Sequence, residues 1–158
     1  MARGRSGIGF SAGTLVRVMF ALAAVLAAGA ALLVVVGAIP DVRDVWAPSS
    51  RGADASVPAL WASVVANLVF AGMLTATVAG RGPRGRWWPP LIVALGAGAI
   101  VQALVYLDAA AAFHGPLEEQ MNGARAALRQ AAATDAAAGT LAVIAAAILE
   151  IGRRRLGD

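Results

Sequence analysis

Gly80-Arg81-Gly82-Pro83-Arg84-Gly85-Arg86-Trp87-Trp88-Pro89-Pro90 separates two long apolar runs. Glycine and proline interrupt helices, so the stretch reads as a turn. Its three arginines are costly in hydrocarbon, and its two indoles favour the headgroup level. The segment therefore predicts a tight turn at a membrane surface, with a helical hairpin on either side. Arg81, Arg84, Arg86, Trp87 and Trp88 are its expected anchors.

The composition agrees. Of 158 residues 59% are hydrophobic and only 14% charged, against about a quarter charged in a soluble domain. Apolar runs cover residues 18–39, 59–80, 89–108 and 133–152. At about 1.5 Å rise per residue, each approaches or matches the roughly 30 Å of a bilayer's hydrocarbon. The first run is also longer than the roughly 7–15 residues of a signal-peptide core, so it is read as an uncleaved span. The expected fold is all-α: a polytopic, four-transmembrane-helix bundle forming one domain over residues 1–158. Outer loops are expected at 40–58 and 109–132, and a cytoplasmic turn at 81–88.

The arginines set the orientation. All thirteen basic residues are arginine. With both termini cytoplasmic, nine lie inside (Arg3, Arg5, Arg17, Arg81, Arg84, Arg86, Arg153, Arg154, Arg155) and four outside. Seven of the nine acids then lie outside. The positive-inside rule favours this arrangement, in a cell membrane. The net charge of +4 is scattered over the ends of apolar runs and forms no basic stripe, so nucleic acid is not an expected partner.

The second outer segment is expected to be helical. Leu117, Met121, Ala124 and Leu128 follow helical spacing after Pro116. Alanine on both sides of Thr134-Asp135 gives no reason for the helix to stop, so one helix is expected from Pro116 to Arg155, projecting outward before the fourth span. Thr134 or Asp135 capping a separate helix is the alternative.

Little points to chemistry. Cysteine is absent, and His114 is the only histidine. Thiolate metal sites, disulfides and bis-histidine haem are excluded. His114 and Glu118 have the i, i+4 spacing of a helical metal site, but Gly115-Pro116 interrupts the helix between them. No metal, cofactor or catalytic residue is expected. Asp108, His114, Glu118, Glu119 and Asp135 form a candidate outer face, whose bland reading is a solvated acidic rim. Asp108, His114 and Asp135 acting on lipid is the remaining enzymatic reading. Membrane enzymes that form disulfides need cysteines, and small multidrug transporters carry a glutamate in the first span; this chain has neither.

Asn67 and Gln102 are the strongly polar side chains expected inside the spans. Each is expected to face another helix, in an interhelical hydrogen bond. No carboxylate is expected at mid-membrane, which weighs against a coupled transporter. Small residues (Ala24, Ala28, Ala31, Gly96, Gly98, Ala138, Ala142, Ala146) suit close helix packing. The expected function is a non-catalytic integral membrane protein, an accessory or assembly subunit acting through helix contacts and its outer face. Its expected partners are the lipid bilayer and a membrane protein or second copy. The alternative is a small transporter or channel component with a polar path at Asn67 and Gln102.

Overall fold

The computed structural model describes residues 12–41, 53–81, 87–111 and 122–156. These residues are all-helical, without strands. Helix α1 is Ala12–Leu33 and leads into a π-helical turn, Val34–Ala38. Helix α2 is Ala53–Val78, α3 is Trp88–Ala111 and α4 is Asn122–Leu156. Four helices, Gly13–Asp41, Val57–Val78, Trp88–Ala111 and Gly123–Arg155, are long and apolar enough to cross a membrane.

Local signals mark several of the described helix ends. Gly80 takes φ +70°, the left-handed conformation that closes a helix and suits glycine. The N–H of Gly80 bonds to the carbonyl of Thr77, and that of Arg81 to Ala76. The helix thus closes at the start of the opening stretch, whose residues 82–86 lie outside the described residues. The end of the stretch differs slightly from expectation, because Trp88 is already helical, with Pro89 and Pro90 in the first turn, where a missing N–H costs little. Pro58 was expected in the loop. It lies inside α2, close enough to the start that only an early backbone bond is forgone.

α4 is one unbroken helix through Thr134 and Asp135. Thr134 does not cap a new helix. Its Oγ1 donates back to the carbonyls of Gln130 and Ala131, at 3.0 and 2.9 Å, as mid-helix threonines do. The N-terminus of α4 is capped from another helix: Ala124 N–H donates to Asp41 Oδ2 at 2.9 Å. Such end amides have no partner within their own helix, and the helix dipole favours a carboxylate there.

α4 is the central helix, packing closely on both α1 and α3; α2 leans mainly on α1 and meets α3 only sparsely. Small residues set these distances. A Cβ added to Gly96 would stand 2.9 Å from the Gly139 carbonyl oxygen, and one on Gly37 would stand 2.5 Å from Ala127 Cβ. Gly98, by contrast, has open space around it. Ala24, Ala31, Ala138, Ala142 and Ala146 are buried, as close packing requires.

The apolar core has two parts. One, at the arginine-bearing end, gathers Phe20, Phe70, Leu74, Trp88, Ile92 and Ala142. The other, at the far end, gathers Val34, Leu60, Val64, Tyr106, Ala110 and Leu128. Following each helix, the break falls at Asn67 in α2, Gln102 in α3 and Asp135 in α4.

A candidate functional site: the polar layer at Asp135

The layer between the two cores is built from the buried stripes of three helices. On α4 the buried face runs Ala124, Leu128, Ala131, Asp135, Ala138 and Ala142, at the three- and four-residue steps of a helix facing a core. Asn67 holds the matching place on α2, between Val64 and Phe70, and Gln102 lies beside Ala103 on α3. Asp135 is 15 residues from Glu150 and Gln102 is 14 from Trp88. Both therefore stand about 21–23 Å along their helices from the arginine-bearing end, in one layer.

Asp135 was expected on the outer surface. It is instead 0% exposed, and Asn67 is 2% exposed. Asn67 Nδ2 donates to Asp135 Oδ2 at 3.1 Å, and Gln102 Nε2 donates to the same oxygen at 3.2 Å. The two amides thus meet on the carboxyl rather than on each other. The expectation that no carboxylate lies deep among the apolar helices is corrected by Asp135.

The layer continues toward the far end. Gln102 Nε2 also lies 2.9 Å from Tyr106 Oη and 3.3 Å from the Ser63 carbonyl. A primary amide has two hydrogens, so these three acceptors compete for them. Tyr106 Oη donates to Ser63 Oγ at 2.7 Å, and Ser63 Oγ donates to the Leu60 carbonyl at 2.7 Å. The result is a one-way chain of donors from Gln102 through Tyr106 and Ser63 to the backbone of α2. Such chains polarise each successive bond.

Asp135 Oδ1 is buried and has no hydrogen-bond partner, and no cation pairs with Asp135 among the described residues. A carboxylate there leaves Oδ1 without a donor. An acid protonated there leaves its O–H without an acceptor. Either form is costly in a low-dielectric core. Among the described residues, no three acidic or histidine side chains come together as a metal site.

The other candidate residues are dispersed. Asp108 is exposed on α3, away from the layer. His114, Glu118, Glu119, Arg84, Arg86, Leu117 and Met121 lie outside the described residues. Arg81 is exposed, as are Arg153, Arg154 and Arg155 at the end of α4. The two tryptophans part ways: Trp87 is 82% exposed, whereas Trp88 is 8% exposed and belongs to the core. Ser63 and Tyr106 were not singled out from the sequence. Only their helical spacing from Asn67 and Gln102, four residues each, marks them. Comparison with protein-family models, with curated proteins and with solved structures gave no match.

Proposed function

We propose that the protein is a small transporter or channel component of a cell membrane, in which Asp135 takes up and releases a proton. The supporting observation is the convergence of Asn67 and Gln102 on one oxygen of a fully buried carboxyl whose other oxygen has no partner. A tie between helices needs only neutral amides or hydroxyls. An ionisable group in the same place adds the ability to gain and lose charge, the property that proton relays use. A metal cation would call for several oxygen ligands, and a single carboxyl facing two amide donors suits a proton better. On this reading both termini are cytoplasmic, Asn67 and Gln102 line the path, and no covalent catalysis is involved.

The test is proton movement in vesicles carrying the purified chain and an internal pH dye. The expected result is a flux that Asp135→Asn abolishes while the helical content stays unchanged. The Asn67→Leu/Gln102→Leu double variant should also lower it. Wild-type vesicles no leakier than empty ones, or full flux in Asp135→Asn, would sink the proposal. A tag after Asp158 that a protease cuts from outside intact cells would reverse the orientation.

A second reading, an accessory or assembly subunit working through helix contacts, has its own support. Ser63 and Gln102 are only half-buried, on the line where α2 and α3 meet sparsely, and exposed Leu68, Val69, Val101 and Val105 belong to the same two helices. A partner helix laid on that line would cover polar groups that lipid cannot satisfy. Mild-detergent purification from the native membrane should then bring a stoichiometric partner or a second copy. A lone monomer would dismiss this reading.

A further inference from the structure

A groove lies between α3 and α4 at the arginine-bearing end, holding about 830 Å³. Its walls are apolar along Pro90, Val93 and Ala147, and Trp87 stands at its edge. Arg153 and Arg154 line the same groove. Arg153 donates from Nε and Nη2 to the two oxygens of Glu150, each at 3.0 Å. Arg154 Nε donates to the same carboxylate at 2.9 Å.

Two guanidinium groups therefore share one carboxylate, and the cluster keeps a net positive charge. Each guanidinium carries five N–H donors, and these bonds to Glu150 use two from Arg153 and one from Arg154. Glu150 holds both cations in place without neutralising them. The groove thus offers an apolar wall joined to an excess of phosphate-binding donors. A free phosphate would leave the wall uncovered, and a neutral acyl chain would leave the donors unused.

We infer that this groove binds one anionic phospholipid, its phosphate on Arg153 and Arg154 and an acyl chain along Val93 and Ala147. The inference rests on the reading that these helices lie in a membrane. It does not depend on which way they face, or on proton transport. Trp87 at the edge suits the headgroup level, and basic pockets between helices at a membrane surface favour anionic lipid.

The experiment is lipid retention by native mass spectrometry, with the full chain in nanodiscs of equal phosphatidylglycerol and phosphatidylcholine. The wild type should retain phosphatidylglycerol about fivefold or more over phosphatidylcholine, the preference expected from one arginine near a membrane surface. The Arg153→Gln/Arg154→Gln variant should bring that ratio to about one. Arg155→Gln, outside the groove, should leave it unchanged, and Val93→Trp should reduce retention of both lipids. Equal retention by the wild type, or an equal loss in Arg155→Gln, would overturn the site. A chain released from native membranes by an alkaline wash would overturn the membrane reading together with it.

Discussion

Asn67 reaches Asp135 across 68 residues of sequence, over a 3.1 Å hydrogen bond. It does so although no Cα of α2 lies within 8 Å of a Cα of α4. The two helices are thus joined at this level by side chains rather than by close backbone packing. A pairwise coupling follows. Asn67→Ala and Asp135→Ala, made singly and together, should show an interaction of about 0.6 kcal/mol or more, up to about 1.7, the average and the maximum found for bonds between helices in membranes. Reversible unfolding in mixed micelles reads it, and purely additive losses would show that the pair is not coupled.

Gly96 and Gly98 are two residues apart and predict opposite outcomes. A Cβ on Gly96 meets the Gly139 carbonyl oxygen and Val143 Cγ2, each at 2.9 Å, whereas one on Gly98 meets nothing within 4 Å. Gly96→Ala should force α3 from α4 and cost about 1–3 kcal/mol. Gly98→Ala should be neutral or stabilise by up to about 1 kcal/mol, because alanine favours the helix. Thermal melts of the two variants side by side decide it.

Thr134 separates a continuous helix from a helix start. A capping threonine costs about 1 kcal/mol when replaced by alanine. Thr134 bonds backward within its own helix, so Thr134→Ala should change stability by less than about 0.5 kcal/mol in either direction. A larger loss in an unfolding titration would restore a helix boundary at that point.

Asp41 acts where Thr134 does not. Removing its carboxylate in Asp41→Ala leaves the Ala124 amide without its acceptor and should cost about 1 kcal/mol. Amide hydrogen exchange should rise in the first turn of α4 and stay unchanged near Glu150. Uniform exchange along α4 would contradict a local cap.

The sequence made the four helices legible because each carries enough uncharged residues to stand out, and the Gly80 turn carries its own stop signals. It also marked Asn67 and Gln102, since polar amides within apolar runs need partners. It hid Asp135. A span of apolar residues ending near position 133 puts an aspartate at 135 by the membrane surface, where acids are common. The periodicity that links Ala124 to Leu128 gives a different answer when carried onward. The same steps pass through Ala131 and Asp135 to Ala138 and Ala142, so the face of the helix located this residue better than its depth. Ser63 and Tyr106 were harder to see. A hydroxyl in an apolar helix can satisfy itself on its own backbone, as Thr75 and Thr77 do, and only the position of a neighbouring helix shows that these two do more.

The π-helical turn at Val34–Ala38 has an effect at a distance. Its wide loop, closed by the bond from the Ile39 N–H to the Val34 carbonyl, takes in one residue more than an α-turn. Each residue turns a helix by about 100°. Asp41 therefore faces the amide of Ala124 because of an inserted residue upstream. Regular α winding of the same residues would swing Asp41 about 100° off α4, whereas removing one residue within 34–38 together with the wide turn would leave it facing Ala124. The junction of the first and last helices thus depends on how the chain is wound between Val34 and Ala38 as well as on the two groups that meet there.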